Sequence, residues 1–182
     1  MKGSLFAGAV MLASSLLLAG CETATVQPQA AEESNLVQSS EDAATALVKQ
    51  LGPNLRPDQP LIVASFVNVD HLDESSTLGR MLAEQMASSL TRQGLPVVEL
   101  KLRDSLFIQE GSGEFMLSRE LQHISQSHQA QAVVVGTYAI GRQSVYVTSR
   151  LVRVADNRIL AASDYRLPMD ADVRALVGAK RR

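Results

Sequence analysis

Apolar and polar residues follow two different periods along the chain, and these periods predict where helices and strands lie. Apolar side chains at helical spacing predict four helices, which begin at Ser39 or Ser40, about Ser76, Ser118 and about Asp172. A serine hydroxyl can accept a hydrogen bond from the first turn of a helix, so Ser39 or Ser40 is the predicted cap of the first helix and Ser118 the predicted cap of the third. Gly52 and Gly94 are expected to end the first two helices.

Continuous apolar runs and alternating runs predict two kinds of strand. Leu61–Val67 and Gln131–Tyr138 lack polar alternation, which is typical of strands that are buried on both faces. Alternation with one polar face predicts three further strands, at Val98–Leu102, Ser144–Val154 and Arg158–Tyr165. Asp156 and Asn157 predict a tight hairpin between the last two, because asparagine tolerates a positive φ. Residues 68–74 are predicted to be a polar loop.

The order of these elements predicts one mixed α/β or α+β domain over residues 39–178, with helices packed on a sheet. The segment between Leu61 and Leu102 is a βαβ unit, so its two strands are expected to be parallel and its crossover right-handed. The C-terminal strands are expected to form an antiparallel meander. The sheet should therefore contain both parallel and antiparallel pairs.

The N-terminal segment has the layout of a bacterial secretory signal. Lys2 gives a positive start, Leu5–Leu18 is an apolar run, and small residues precede Cys21. This pattern resembles a lipobox, and we expect a peptidase to cut between Gly20 and Cys21, which removes residues 1–20. The alternative is a secreted soluble protein whose signal happens to contain a cysteine.

Cys21 is the only cysteine of the chain, so no internal disulfide can form. We expect it to carry diacylglycerol on its thiol and an acyl chain on its amino group, and we expect no other cofactor. Each buried methylene contributes about 0.8 kcal/mol, so several chains anchor a protein stably. Glu22 rather than aspartate follows, which favours the outer membrane. Residues 21–38 are predicted to be a flexible tether and residues 179–182 a basic tail.

Composition argues against several classes of binding function. The formal net charge is −2, so no basic surface for nucleic acid is indicated. Tryptophan is absent and aromatic residues make up 4% of the chain, which leaves few side chains on which bases or sugars could stack. Nucleic acid is therefore not an expected partner.

Candidate catalytic and metal-binding residues are scattered rather than grouped. His123 and His128 are five residues apart and share no helix face, and His71 lies among carboxylates without the oxygen spacing of a calcium loop. The glycine-rich stretch 111–114 has no following lysine and ends in Glu114, which opposes phosphate binding. No nucleophile motif occurs after the signal. The sequence therefore predicts no catalytic residue, no metal site and no enzymatic activity.

Several segments, in order along the chain, carry a resemblance to a known family. They are the lipobox, Pro60–Asp70, Leu78–Arg80, Arg103–Ile108, Glu110–Glu114 and Leu117–Leu121. On these segments, and from about residue 41 to 167, the chain resembles the FlgO family of flagellar outer-membrane lipoproteins. It departs from the family at Asp156 and Asn157, where Asp-Gly is frequent, and at His71, where an acidic residue is more frequent.

The resemblance implies a non-enzymatic component of the envelope rings around the base of a polar, often sheathed, flagellum, needed for motility. It implies the flagellar lipoprotein FlgP and the ring protein FlgT as partners. By analogy it also implies a fold similar to the amino-terminal domain of TolB. In a homo-oligomeric ring, one patch of each copy would contact a different patch of its neighbour.

The irregular segment 104–116 is the candidate contact surface for such an assembly, because Phe107 and Ile108 lie there beside Gly111 and Gly113. The alternative is that both apolar side chains cover the sheet. Two other functions stay open at this point. One is an accessory lipoprotein that activates a cell-wall synthase or a secretion assembly, and the other is a periplasmic hydrolase, which would need an acid–base pair in a cleft.

Overall fold

The computed structural model describes residues 35–52, 56–99, 108–109, 116–117 and 119–178. Within these residues the helices are α1 (Leu36–Leu51), α2 (Thr77–Arg92), α3 (Arg119–Ser127) and α4 (Ala171–Leu176). The strands are β1 (Leu61–Val63), β2 (Val67–Asn68), β3 (His71–Ser75), β4 (Val97–Glu99), β5 (Ile108–Gln109), β6 (Met116–Leu117), β7 (Ala132–Ile140), β8 (Ser144–Arg153) and β9 (Ile159–Pro168).

Strand β7 is the centre of the main sheet because it has neighbours along both of its edges. One edge pairs antiparallel with β8 from Ala132 to Ile140. The other edge is shared by two short parallel strands that lie end to end, with β1 beside Ala132–Val134 and β2 beside Thr137 and Tyr138. β4 extends the sheet from β1, β3 from β2, and β9 from β8. β5 and β6 form a separate two-stranded sheet.

The predicted fold class and the βαβ unit are confirmed. β1 and β4 are parallel, with Leu61 opposite Val97, and α2 lies between these strands in the chain. β7, β8 and β9 form the antiparallel meander that was predicted for the C-terminal part. Asn157 in the hairpin between β8 and β9 has a φ of 56°, as the tight hairpin requires.

Both faces of the sheet are covered around β1. Leu61 and Val63 belong to the apolar cluster that contains α1 and α2, whereas Ile62 and Ala64 belong to a second cluster that contains Leu121 of α3. Each of these side chains is at most 1% exposed. The prediction that this run is buried on both faces is therefore confirmed.

Helix α1 begins earlier than the sequence predicted. Its cap is Asn35, whose side-chain oxygen accepts a hydrogen bond of 2.9 Å from a backbone N–H of the first turn. The prediction of Ser39 or Ser40 as the cap is therefore wrong. Ser40 is fully buried instead, and its hydroxyl donates to Gln85 of α2 at 2.9 Å. Residues 36–38, which were predicted to belong to the tether, form the first turn of the helix.

The run Leu61–Val67 and the predicted loop 68–74 also differ from the prediction. The run forms two strands, β1 and β2, because the chain leaves the strand conformation before Phe66, whose backbone N–H donates to the Gly79 carbonyl at 3.1 Å. Most of the predicted loop is strand β3, which returns antiparallel to β2 with a register shift. A short edge strand can be polar because it buries few side chains, and its sequence therefore looks like a loop.

Candidate functional site

Phe66 fills the junction between the sheet and helix α2. Its side chain is fully buried, and its backbone N–H donates a hydrogen bond to the carbonyl of Gly79 in the first turn of α2. A β-carbon on Gly79 would overlap the Phe66 carbonyl oxygen, and a β-carbon on Gly136 of β7 would overlap the Phe66 ring. Glycine is therefore needed at both positions for such a close approach.

Ser76 and Tyr138 join the start of α2 to the end of β7. The Ser76 hydroxyl oxygen accepts a hydrogen bond from the backbone N–H of Gly79 at 2.9 Å and another from the Tyr138 hydroxyl at 2.6 Å. Tyr138 is only 2% exposed, so its hydroxyl needs a partner within the protein, and this bond provides one. The bond fixes the start of the helix against the sheet.

An open pocket of about 480 Å³ lies at this end of the sheet. Its polar side comes from the β2–β3 hairpin and the first turn of α2, with Asn68, His71, Ser76, Thr77 and Arg80. Its more apolar side comes from the end of β7 and the end of α4, with Tyr138, Ile140, Leu176, Val177 and Gly178. None of these lining residues carries a carboxylate, and Arg80 brings a positive charge.

Large apolar side chains are exposed around the same end of β7. Val69 is 45%, Ile140 42% and Tyr146 59% exposed. Tyr146 is the cross-strand neighbour of Ala139, and the backbone N–H of Val69 donates to the Tyr138 carbonyl at 3.0 Å. Tyr146 shares the face of Ala139, which is opposite to the face that carries Tyr138 and Ile140. We call Ile140 and the other residues that line the pocket the sheet-end surface.

The residues to which the sequence assigned a role lie mostly outside the described part of the chain. Outside it are the lipidation and cleavage residues Cys21 and Gly20 and the candidate contact residues Phe107, Gly111 and Gly113. The backbone of Ile108 is described, in β5 opposite Leu117 of β6. Lipid attachment at Cys21 and a contact surface at 104–116 remain predictions.

The three histidines are exposed and lie on different elements. His71 is on β3, His123 is on α3, and His128 is in the turn that follows α3. Among the residues that the structure describes, no three metal-ligating side chains are grouped together. None of the described helices has the length and apolar character needed to cross a membrane.

Tyr165 of β9 is a partly buried tyrosine that packs on the α1 side of the sheet, away from the pocket. Burial raises the pKa of its hydroxyl to about 12, an effect that the nearby Ser40 hydroxyl partly opposes. Among the described residues, the Tyr165 hydroxyl has no hydrogen-bond partner of good geometry. The nearby Ser40 hydroxyl therefore compensates only part of the cost of burying this polar group.

Sequence reasoning did not identify the sheet-end surface. The sequence did carry a signal for the neighbouring Phe66 junction, because Gly136 interrupts an apolar strand, and an isolated glycine in a strand indicates close approach of another group. The start of α2 was predicted at about Ser76, without a role for its side chain. Nothing local indicated that Tyr138, 62 residues further along the chain, would bond to that side chain.

Solved structures share the fold of this domain. The C-terminal domain of LpoB from Salmonella enterica matches with a TM-score of 0.50 and 16% identity, over 70% of this chain and 97% of that chain. The LpoB C-terminal domain from Escherichia coli has a TM-score of 0.47 and 16% identity, over 72% and 98% of the two chains. A PelC dodecamer from Paraburkholderia phytofirmans has a TM-score of 0.44 and 18% identity, over 64% and 76%. At such identities only a common fold is established, and it rests on the first match.

Comparison by sequence gives a more specific result. No curated protein matches this chain significantly. The model of one protein family, described as FlgO protein, matches residues 41–172. This range runs from the second turn of α1 to the start of α4 and includes every strand of the main sheet. Because the match covers well over half of the chain, the predicted resemblance is confirmed and the chain belongs to the FlgO family.

Proposed function

We propose that this protein is an outer-membrane lipoprotein that serves as a structural component of the envelope rings around the base of a flagellum. The family match over residues 41–172 is the observation that carries the proposal. The N-terminal sequence supports its membrane part, because Cys21 follows an apolar run and small residues, as in a lipobox.

In this proposal the lipid on Cys21 holds the protein at the membrane, and the domain offers surfaces to neighbouring proteins. Two or more acyl chains anchor a protein stably. Residues 22–34 could span at most about 45 Å if fully extended, so the domain can reach partners beyond the lipid headgroups. The role is structural, and no catalytic step is part of it.

The partners that we propose are the flagellar lipoprotein FlgP, the ring protein FlgT and further copies of this chain. Copies in a closed ring contact each other through two different patches. Segment 104–116 is one candidate patch, and Phe107→Asp tests it. The variant should remain folded and membrane-bound but fail to assemble, whereas loss of the folded circular dichroism spectrum would show that Phe107 belongs to the core.

Purified flagellar basal bodies test the function as a whole. Immunoblotting should find the protein in basal bodies, and deletion of its gene should reduce motility and remove part of the ring density. The wild-type chain should restore both when it is reintroduced. Normal motility after deletion, together with absence of the protein from basal bodies, would exclude the flagellar role.

An accessory lipoprotein that activates a cell-wall synthase or a secretion assembly is the second candidate. The fold shared with the LpoB C-terminal domain is the observation that favours it. Co-purification separates the two candidates, because this second protein would be recovered with the synthase or the secretion assembly rather than with basal bodies. A periplasmic hydrolase is a weaker candidate, and assays with cell-wall substrates would test it.

A further inference from the structure

Exposed large apolar side chains are concentrated at one end of the domain. Among the residues that the structure describes, five are exposed, namely Val37, Val69, Ile140, Tyr146 and Ile159. Val69 is in the turn between β2 and β3, Ile140 is the last residue of β7, and Tyr146 is the third residue of β8. Strand pairing places these three at the same end of the sheet, whereas Ile159 begins β9 at the opposite end.

Helix α1 also begins at this end. In its second turn, the Ser40 hydroxyl donates to Gln85 of α2 at 2.9 Å. Further along both helices, the Gln93 side chain donates to the Thr45 hydroxyl at 3.4 Å, so α1 and α2 run in the same direction. Because α2 begins where its cap bonds to the end of β7, the first turn of α1, which contains Val37, lies toward that end too. The chain thus enters the domain at the end that carries the other exposed side chains.

The arrangement of these side chains fits a broad, flat partner. Ile140 points to one face of the sheet and Tyr146 to the other, so a ligand on a single face cannot contact both. A surface that lies across the hairpin tips can contact side chains from both faces. A lipid bilayer is such a surface, and its interface accommodates tyrosine and aliphatic side chains.

We propose that Val37, Val69, Ile140 and Tyr146 contact the headgroup region of the bilayer in which the lipid on Cys21 is inserted. The predicted tether joins Cys21 to the start of α1, so the anchor is attached at this end of the domain and gives it a high local concentration of lipid. A few apolar side chains are then sufficient, although the same contact would be weak without the anchor. The proposal depends on lipid attachment, which is part of the proposed function, and not on a flagellar role. It orients the opposite end of the domain, with the β8–β9 hairpin, away from the bilayer.

Tryptophan fluorescence tests this contact, because the chain has no tryptophan of its own. Ile140→Trp places a single reporter at the proposed contact, and Ile159→Trp is the matched control, since Ile140 is 42% and Ile159 50% exposed. Each lipidated full-length variant is reconstituted in phosphatidylcholine vesicles with or without bromine near the start of the acyl chains, which quenches tryptophan at short range. Bromine should reduce the emission of Ile140→Trp and leave that of Ile159→Trp unchanged.

A reporter on the other face of the sheet tests whether the contact includes both faces. Tyr146→Trp keeps an aromatic side chain at that position, and bromine should quench it as well. Adding Ile140→Ser and Val69→Ser to this variant should reduce the quenching, whereas adding Ile159→Ser should not. An unchanged circular dichroism spectrum shows that each variant is folded.

The lipid composition of the vesicles tests whether the contact is apolar. Arg142 and Asp70, at the two hairpin tips, are both exposed and carry opposite charges. Replacing part of the phosphatidylcholine with anionic phosphatidylglycerol should therefore leave the quenching of Ile140→Trp unchanged. Quenching that requires phosphatidylglycerol would assign the contact to charge and overturn the proposal.

Flotation of the vesicles on a density gradient separates failure of this proposal from failure of the anchor. If the variants float and bromine quenches both isoleucine replacements equally, or neither, the membrane contact is wrong and lipid attachment stands. Emission of Ile140→Trp that shifts to shorter wavelength with protein concentration, without quenching by bromine, would assign the surface to a second copy of the chain instead. Variants that do not float would overturn both the contact and the lipid attachment on which it depends.

Discussion

At the scale of single residues, Phe66 and the two glycines beside it determine how helix α2 meets the sheet. The Phe66 ring occupies the space that a side chain at Gly136 would need, and the Phe66 carbonyl occupies the space that a side chain at Gly79 would need. Part of this contact is made by the Phe66 backbone, and a backbone cannot move aside as a flexible side chain can. At the edge of this contact, the Tyr138 hydroxyl donates a hydrogen bond to the Ser76 hydroxyl.

Gly136→Ala should therefore destabilise the domain although it adds a single methyl group. Overpacking of a filled core costs about 1–3 kcal/mol in the free energy of unfolding, which urea denaturation measures. Phe66→Leu, introduced into the same chain, should recover part of the loss because it removes the ring that the methyl group meets. A Gly136→Ala protein that unfolds at the same urea concentration as the wild type would contradict the close packing.

Tyr165 should make the stability of the domain depend on pH in the alkaline range. Its pKa is raised from 10.0 to about 12 in the folded state, so the folded protein holds this proton more tightly than the unfolded chain does. Its contribution is constant below pH 10 and is lost as the pH rises from 10 to 12, because the unfolded chain ionises first and is favoured. Denaturation of the wild type at a series of pH values should show this fall.

Tyr165→Phe should flatten the fall between pH 10 and 12. At neutral pH the variant should differ from the wild type by no more than about 1 kcal/mol, because it removes a hydroxyl that lacks a good partner. Tyr146→Phe is the control, since Tyr146 is 59% exposed and its variant should keep the full fall. If both variants behave alike, burial of Tyr165 is not the cause.

At the scale of elements, the ends of α2 could be predicted from the sequence because local residues determine them. Ser76 caps its start, and Gly94, with a φ of 84°, follows its end. The start of α1 could not be predicted in the same way. Asn35, Ser39 and Ser40 can all cap a helix, and packing decides among them, because Leu36 lies against the core and Ser40 is buried against α2.

Strand β3 and the sheet-end surface escaped sequence analysis for the same physical reason. The polar residues of β3 form a strand because β2 lies beside them, and β2 itself exists because Phe66 turns away from β1. The pocket joins residues from α2, β7 and α4 that are distant in sequence. Local periodicity predicts elements, but it does not determine which of their ends meet.

Helix α1 also protects the outer edge of the sheet. β9 pairs with β8 along one edge. Along its other edge, the side-chain amide of Gln50 donates one hydrogen bond to the backbone of Ala162 and accepts another from it. Gln50 Nε2 donates to the Ala162 carbonyl at 2.7 Å, and Gln50 Oε1 accepts from the Ala162 N–H at 3.2 Å. The side chain thus takes the backbone groups that another strand would use.

Gln50→Ala should therefore increase self-association through the β9 edge. Sedimentation velocity should detect larger species at concentrations at which the wild type is unchanged, and the secondary structure should be preserved. Lys49→Ala is the control, because Lys49 is a neighbouring exposed residue of the same helix. Identical sedimentation of both variants and the wild type would show that the edge is protected by other means.

At the scale of the whole molecule, the apolar core and the predicted lipid attachment lie in separate parts of the chain. The buried apolar residues among those described run from Ala43 to Val173, well after Cys21. Anchoring and folding should therefore be independent of each other. This separation suits a protein whose domain is proposed to be a building block and whose N-terminal cysteine is proposed to be its attachment point.

Cys21→Ser should move the protein from the membrane fraction to the soluble fraction and leave thermal unfolding of the domain unchanged. Mass spectrometry of the wild type should find the chain starting at Cys21 with diacylglycerol and an acyl chain attached. Thr23→Ala, close to the same site, should remain in the membrane fraction. An unmodified thiol on Cys21, or an intact N-terminal segment, would contradict lipid attachment.

The position of β7 between two sets of neighbours has a consequence for how the domain opens. Hydrogen exchange of its backbone amides should be slowest at Val133 and Val134, where β1 and β8 flank the strand and β4 lies beyond β1. Near Tyr138 only two residues of β2 share that edge, so protection there should be lower. Local opening of the sheet would then begin at the end of β7 beside the pocket. That end of the sheet could adapt to a ligand while the end at Val133 and Val134 stays folded.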